Sequence, residues 1–295
     1  MISDSVARLG VFGGSGLYKM PGMEPLEDIR IETPFGATSD VIKLGLLNGQ
    51  EVAFLARHGQ GHCLNPSEVP YQANVWAMRY LNVKWLLSAS AVGSLKPRIK
   101  PLDILVPDQF IDRTRNRPAT FFEGGVVAHV AMADPFCLQF RHLLLESIHQ
   151  LELGDRSLHD GGTYVCMEGP AFSTRAESEM YRALGGAVIG MTNHTEARLA
   201  REAEIAYASL CMVTDYDCWH QSHESVTVDM IVENLNSNAR LAAQVVSQVA
   251  QNILLNPLDS DAHSCLKNAL LTRPEAAKQE AKAKLQLFLS KYWDV

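Results

Sequence analysis

The stretch LGVFGGSGLY, residues 9–18, decides the fold class of this chain. Residues 9–12 are apolar and predict a short buried strand, and the run Gly13-Gly14-Ser15-Gly16 predicts a tight turn at its end. Glycines let backbone N–H groups approach a bound phosphate closely, and the hydroxyl of Ser15 adds a donor. The same run is equally consistent with a purely structural turn, so its context along the chain has to decide.

An alternation of apolar strands and amphipathic helices continues along the chain. Strands are predicted at residues 9–12, 28–32, 40–44, 51–57, 83–88, 103–110, 163–167, 187–191 and 206–214. Helices are predicted at residues 73–81, 138–151, 173–184, 195–204, 226–254 and within 273–293, and a loop at 257–264. The pair Asn48-Gly49 predicts a hairpin turn. This alternation predicts one α/β sheet with helices on both faces. We assign residues 1–256 to this domain and residues 257–295 to a C-terminal helical extension packed on it.

The composition fits a folded protein with a sizeable core. Of the 295 residues, 47% are hydrophobic and 20% charged, which excludes disorder as the main state. The net charge of −7 disfavours a general nucleic-acid binder. The N-terminus has no signal-peptide pattern, no apolar stretch predicts a membrane span, and the six cysteines are scattered. We therefore expect a cytoplasmic protein with reduced thiols and without nucleic-acid or membrane partners.

Polar residues follow several predicted strands, where open α/β sheets bind their ligands. Arg57-His58 lies at the end of one strand, and a guanidinium offers forked donors to a phosphate. Ser90 belongs to a run of small residues at 88–94 that permits an anion to approach the backbone. Each feature also has a plainer interpretation, namely a surface arginine with a capping histidine, and close packing of small side chains.

Two carboxylates follow the strand at residues 206–214, in the run TDYD. Asp215 and Asp217 point the same way if the strand continues. Partial burial and mutual repulsion would raise the pKa of one of them, giving an acid that can protonate a leaving group near neutral pH. A pair of solvated loop acids fits the run equally well, and Glu168 is another candidate acid.

The spacing of the candidate residues excludes two other kinds of ligand, a dinucleotide and a zinc ion. Glu32 follows Gly13 at about the distance of a ribose-binding acid in dinucleotide folds, but two intervening prolines leave no room for the required helix. His58 and His62 are four residues apart without a predicted helix or an intervening glutamate, so a zinc motif is not formed. We expect no metal site.

Taken together, these features resemble the trimeric purine nucleoside phosphorylases. The similarity extends from about residue 9 to residue 232 and rests on the motifs VFGGSGLY, RHGQGH, PSEVPYQANVWAMRYL, DQFIDRT, MEGPAFSTRAE, MTNHTEARLAREAEI and VTDYDCWHQSHESVTVD. It implies one α/β domain around a mixed sheet, a homotrimer with sites near the subunit interfaces, and no metal. It also implies no cofactor, with inorganic phosphate as a co-substrate.

The resemblance further implies roles for individual residues. Phosphate binding is implied for Ser15, Arg57, His58, Ser90, Ala91 and Thr192. Contacts to the purine are implied for Phe172, Asp215 and Asp217, and a contact to the ribose for Met191. A methylthio pocket is implied for Val228, Ile231 and Val232, with His129 entering from a neighbouring subunit. The catalytic acid would be Asp215, with Asp217 as the next candidate.

The resemblance implies the phosphorolysis of S-methyl-5′-thioadenosine to adenine and 5-methylthioribose 1-phosphate, and the two acids in TDYD favour a 6-aminopurine as the base. The alternatives are a phosphorylase for 5′-methylthioinosine or for purine nucleosides in general, a hydrolytic nucleosidase, and a silent nucleotide-binding protein. Arg57-His58 argues against the nucleosidase, which needs no phosphate site. At residues 193–196 the chain lacks a proline found in many relatives, and we expect His194 to cap a helix at the surface.

Overall fold

Strands and helices alternate within residues 8–220 and 228–294, the part of the chain that the computed structural model describes; the side chains of residues 228–232 are outside it. The strands are β1 (Arg8–Gly13), β2 (Glu24–Ile29), β3 (Glu32–Thr33), β4 (Gly36–Ala37), β5 (Ile42–Leu47), β6 (Gln50–Ala56), β7 (Val83–Ser94), β8 (Ile104–Val106), β9 (Gln109–Arg113), β10 (Leu158–Asp160), β11 (Thr163–Met167), β12 (Val188–Gly190) and β13 (Ala206–Tyr216). The α-helices are α1 (Tyr71–Tyr80), α2 (Leu138–His149), α3 (Arg175–Ala183), α4 (Asn193–Glu202), α5 (Val228–Leu255) and α6 (Gln279–Leu289). Short 3₁₀ helices occupy Asp261–Asn268 and Pro274–Ala276.

The central sheet is mixed, which confirms the expected fold class. Its main path runs β10-β8-β13-β7-β1-β6-β5-β2, and β11, β12 and β9 branch from β7. The neighbours β13, β7, β1 and β6 are parallel, whereas β5 is antiparallel to β6 and β12 is antiparallel to β7. The carboxyl ends of four parallel strands therefore meet at one edge of the sheet, where an open α/β sheet places its ligand.

The hairpin predicted from Asn48-Gly49 is confirmed. Leu47 lies opposite Gln50, and both turn residues have positive φ angles, 51° and 83°. That conformation is the one a two-residue turn between antiparallel strands requires, and asparagine and glycine tolerate it best. The turn thus fixes the register of the strand that ends just before Arg57.

Several predicted boundaries are wrong. The strands predicted at 83–88 and 206–214 end too early, because β7 continues through the run of small residues to Ser94 and its partner β13 continues to Tyr216. The strand predicted at 103–110 is divided at Pro107, whose nitrogen has no hydrogen to donate to a ladder. The strand predicted at 28–32 ends at Ile29, and the loop predicted at 257–264 contains the start of a 3₁₀ helix.

The core consists of two apolar layers, one on each face of the sheet. On one face α2 and α5 pack through residues such as Leu144 and Val246, both fully buried. On the other face α1, α4 and α6 pack through residues such as Val75, Ala200 and Phe288. The C-terminal helix α6 thus packs on the sheet domain, while the division at residue 256 stays a prediction.

A buried carboxylate connects α4 to the loop that precedes α2. Glu202 accepts hydrogen bonds from the backbone N–H of Phe121, at 2.6 Å, and from the hydroxyl of Thr120, at 2.7 Å. Its side chain is buried, and this burial raises the pKa of Glu202 to about 7, although the two donors act in the opposite direction.

We expect Glu202 to make the protein less stable as the pH rises. The folded state holds the carboxyl proton more tightly than the unfolded chain, whose pKa is near 4.5. The resulting stabilisation is complete below that value and is lost as the pH rises through about 7. The loss amounts to at most about 3 kcal/mol. Urea unfolding of wild type and Glu202→Gln between about pH 5 and pH 8 checks this, and a constant difference between the two proteins would contradict it.

None of the helices in the described part of the chain is long and apolar enough to span a membrane.

Candidate active site

A cavity of about 490 Å³ lies at the carboxyl edge of the parallel strands. Its lining includes ten of the residues predicted for the site, from six separate segments of the chain: Ser15, Arg57, His58, Ser90, Ala91, Phe172, Met191, Thr192, Asp215 and Asp217. The cavity therefore brings together the candidate phosphate donors and the candidate purine acids, as the positions of these residues after strands predict.

Of the predicted residues whose side chains are described, only His129 is not part of this lining. His129 is exposed, and its backbone N–H donates to the carbonyl oxygen of Ala269, away from the cavity. Val228, Ile231 and Val232 belong to the first turns of α5, but their side chains lie outside the described residues. The methylthio pocket and the contribution from a neighbouring subunit thus stay predictions.

Arg57 is a buried residue, so the interpretation as a surface arginine is wrong. It follows β6, and only 2% of its surface is exposed. Its Nη1 donates to the Ser88 hydroxyl at 2.8 Å and to Glu196 Oε1 at 2.7 Å, and its Nη2 donates to the Ala89 carbonyl at 3.0 Å. Burial acts to lower the pKa of Arg57, but the charge of Glu196, the hydrogen bond to it and the neighbouring Tyr207 and Tyr71 together outweigh burial and raise this pKa. Arg57 is therefore permanently charged and held in one orientation.

His58 is neutral at physiological pH. Its Nδ1 lies 2.9 Å from the carbonyl oxygen of Leu64, which can only accept a hydrogen bond, so Nδ1 carries the proton. Burial and, after it, the charge of Arg57 lower the pKa of His58 to about 3. The ring stacks on His62 with the centroids 4.3 Å apart. The remaining nitrogen, Nε2, is consequently a hydrogen-bond acceptor.

Hydroxyl and amide groups complete this end of the cavity. Ser90 donates to Asn193 Oδ1 at 2.9 Å and lies 3.4 Å from the hydroxyl of Thr192, the residue that precedes α4. Gly14, in the turn after β1, is required by close packing, because a Cβ there would lie 2.3 Å from the carbonyl oxygen of Ala89 and 2.6 Å from Arg57 Nη2. The glycine turn thus lies directly against Arg57, an arrangement suited to binding an anion.

The opposite end of the cavity is acidic. Asp215 accepts a hydrogen bond from the Thr214 hydroxyl at 2.6 Å, and burial, with a contribution from Asp217, raises its pKa. Asp217 is 9% exposed, and its Oδ2 is buried without a hydrogen-bond partner among the described residues. The interpretation as solvated loop acids is therefore wrong. The pair offers one group that retains a proton more readily than usual and one free acceptor.

Glu168 is not available as an alternative acid. It does not line the cavity, and its carboxylate accepts hydrogen bonds from Ser67, from the Arg117 side chain and from the backbone N–H groups of Arg115 and Asn116. Burial acts to raise the pKa of Glu168, but these donors prevail and lower it to about 2. It is a permanently ionised anchor for Arg117.

Arg117 itself was not singled out by the sequence analysis. Its guanidinium donates to the carbonyl oxygens of Glu168 and Met191 and to the hydroxyl of Tyr71. It thereby fixes the backbone at Met191, which lines the cavity. Glu196, which is 139 residues away from Arg57 in sequence, was not selected by the sequence analysis either. Neither residue follows a strand, which was the signal used to select candidates.

The expectation for His194 is wrong. Instead of capping a helix at the surface, its side chain is 2% exposed. Its ring makes an edge contact with Phe110 at 5.0 Å, and its Nε2 lies 3.2 Å from Asp112 Oδ2. Burial lowers the pKa of His194 to about 4. The reason is that the first turn of α4 packs against β9, so this position faces inward.

A search for metal ligands gives no candidate. Within residues 8–220 and 228–294, no group of three or more histidine, cysteine or acidic side chains is arranged to hold a metal ion.

Comparison with known proteins identifies a consistent set of relatives. Residues 8–251 match the sequence profile of the phosphorylase superfamily. A protein of Prochlorococcus marinus named S-methyl-5′-thioadenosine phosphorylase is 57% identical over 289 residues, which are 97% of this chain and 91% of that protein. A protein of the same name from Thermosynechococcus vestitus is 54% identical over 97% of this chain and 99% of that protein.

Solved structures agree with the sequence matches. A methylthioadenosine phosphorylase from an antarctic soil metagenomic library superposes with a TM-score of 0.92 at 50% identity, covering 96% of this chain and 99% of that chain. A mutant adenosine/methylthioadenosine phosphorylase from Schistosoma mansoni, solved in complex with methylthioadenosine, has a TM-score of 0.80 at 30% identity, over 96% and 98% of the two chains.

Proposed function

The chain belongs to the phosphorylase superfamily, and from this membership we propose that it catalyses the phosphorolysis of S-methyl-5′-thioadenosine. The products are adenine and 5-methylthioribose 1-phosphate. The observation that carries the proposal is that one cavity combines a fixed guanidinium and hydroxyl donors with two carboxylates, the half-buried Asp215 and the buried Asp217. Phosphorolysis needs both kinds of group in one cavity, because phosphate attacks C1′ of the nucleoside while the purine leaves from the same carbon atom.

Phosphate is assigned to the end of the cavity that contains Arg57. The proposed ligands are Ser15, Arg57, His58, Ser90, Ala91 and Thr192. Because Nε2 of His58 can only accept a hydrogen bond, its partner is the P–OH group of a hydrogenphosphate ion. They act by holding the nucleophile in line with C1′ rather than through covalent chemistry. No step of this reaction requires a cofactor, because phosphate is the second substrate.

The purine is assigned to the end that contains Asp215 and Asp217, with Phe172 beside the base and Met191 beside the ribose. The 6-amino group of adenine can donate to the free Oδ2 of Asp217. Asp215, whose pKa is raised, then protonates N7 as the glycosidic bond breaks, so that adenine leaves as a neutral molecule. A 6-oxopurine offers no donor at that position, which supports adenine over hypoxanthine as the base.

We propose that the site is completed in a homotrimer. The nucleoside's methylthio group would then lie against Val228, Ile231 and Val232, and His129 of the partner subunit would close the pocket. In the isolated chain 80% of the surface of Phe172 is exposed, although this aromatic ring lines the cavity. A neighbouring subunit would cover the ring, and this supports the arrangement. A cytoplasmic location belongs to the same proposal.

The decisive experiment follows the release of free adenine from S-methyl-5′-thioadenosine, with and without phosphate, and in parallel the release of free hypoxanthine from 5′-methylthioinosine. We expect adenine release only when phosphate is present. Release without phosphate would indicate a hydrolytic nucleosidase and would contradict the assignment of Arg57 and His58. Turnover of methylthioinosine alone would contradict the assignment of Asp217 as the partner of a 6-amino group.

A further inference from the structure

The phosphate end of the cavity contains a single permanent positive charge. Among the described residues that line the cavity, Arg57 is the only arginine, and there is no lysine. The guanidinium is paired on its far side with Glu196, a side chain that is fully buried and does not line the cavity. Since the contact is 2.7 Å long and shielded from water, the two charges compensate each other at short range.

The histidines nearby do not add charge. Burial and the charge of Arg57 lower the pKa of His58 and keep its ring neutral, while the Leu64 carbonyl fixes the remaining proton on Nδ1; burial also lowers the pKa of its stacking partner His62. The groups beside the phosphate are therefore a compensated ion pair, neutral imidazoles and hydroxyl groups, and the one further acid of the described lining outside the Asp215–Asp217 pair, Glu68, adds no positive charge. A phosphate dianion entering it encounters donors but no net positive charge.

Glu196 is itself held in place. It lies in the first turn of α4, and its second carboxylate oxygen accepts a hydrogen bond from the Tyr207 hydroxyl at 2.7 Å. Both Nη1 hydrogens of Arg57 are used by Ser88 and Glu196, and one Nη2 hydrogen by Ala89. Nη2 also makes a long contact of 3.4 Å to the Ser90 hydroxyl, which is the contact that a ligand can replace, whereas the Nε–H is buried and has no partner in the described part of the chain.

We propose that Glu196 is a positioning residue that orients Arg57 and acts as its counter-ion, so that the empty phosphate site carries no net charge. The proposal rests on the proposed function, because it takes phosphate as the ligand. As a consequence, bound phosphate and Glu196 compete for interaction with the positively charged side chain of Arg57. Competition of this kind weakens the binding of phosphate and of the sugar phosphate product, and it favours product release.

The test is Glu196→Gln, which keeps the shape but removes the negative charge. The amide oxygen can still accept from Arg57, whereas the amide nitrogen can only donate to the Tyr207 hydroxyl, so that this second hydrogen bond is reversed. We expect the KM for phosphate to fall by about threefold or more, while the KM for the nucleoside stays within about twofold. In phosphate-free buffer the variant should melt at a lower temperature than wild type, because Arg57 is then buried without a counter-ion. Added phosphate should raise the melting temperature of the variant more than that of wild type.

Glu202→Gln is the matched control. It makes the same substitution at another buried carboxylate of α4, whose partners are Thr120 and Phe121 rather than a residue of the cavity. This variant should keep the wild-type KM for phosphate. A merely structural role for Glu196 would change both KM values together and would not make the stability depend on phosphate.

The possible outcomes separate the proposed function from the proposed role of Glu196. If wild type releases no adenine in response to phosphate, the proposed function fails. If wild type is active but Glu196→Gln has an unchanged or raised KM for phosphate, only the role of Glu196 is overturned. If the variant does not fold in phosphate-free buffer, phosphate must restore its circular dichroism spectrum, and a chain that stays unfolded with phosphate also overturns the proposal.

Discussion

Replacing Asp215 with asparagine is expected to lower kcat by about 10²–10⁴-fold, the range for a lost general acid. The amide has the shape of the carboxyl group and can still donate a hydrogen bond to N7, but it cannot transfer a proton. In wild type, kcat should decline as the pH rises through the pKa of Asp215, which burial places above its ordinary value. In the variant this alkaline limb should be absent.

A substrate analogue provides the control for this prediction. When N7 of the nucleoside is replaced by a C–H group, there is no atom for Asp215 to protonate, so wild type and Asp215→Asn should be equally slow. A decrease of less than about tenfold in the variant with the natural nucleoside would contradict the role of Asp215. Asp217→Asn, tested under the same conditions, would then show whether the neighbouring carboxylate is the acid.

Replacing Arg57 with alanine is expected to affect both stability and catalysis. The substitution leaves Glu196 buried without a partner for its charge, which should lower the free energy of unfolding by about 3–5 kcal/mol. It also removes the only fixed cation from the described lining, so kcat/KM for phosphate should fall by about 10²–10³-fold or more. Urea unfolding and initial rates at varied phosphate concentration measure the two effects.

The double variant Arg57→Ala/Glu196→Gln separates the two effects. Because both charges are then absent, most of the lost stability should return, whereas phosphate-dependent turnover should stay as low as in Arg57→Ala. Recovery of turnover in the double variant would show that Arg57 is not a ligand of phosphate. Failure to recover stability would show that the unpaired charge of Glu196 is not the cause of the loss.

Local sequence patterns predicted the class of the fold and most of the site. The mixed α/β sheet and the hairpin at Asn48-Gly49 are confirmed. One cavity is lined by Ser15 and Arg57, which follow β1 and β6, and by Asp215, which lies near the carboxyl end of β13, because the carboxyl ends of these parallel strands converge at one edge of the sheet. Boundaries were less accurate where small side chains prolonged a strand, as in β7, since an alanine or serine run fits a buried ladder as well as a loop.

The sequence by itself determined which chemical groups the site contains, through residue types placed after strands and through motifs shared with a family of nucleoside phosphorylases. Only the tertiary structure decided in which charge state those groups act. Glu196 compensates Arg57 from a helix 139 positions away, and Glu168 is kept ionised by the donors around Arg117. His194 is buried rather than exposed because α4 packs against β9. The physical reason is that desolvation and ion pairing depend on contacts between segments that are distant along the chain, and no local periodicity encodes them.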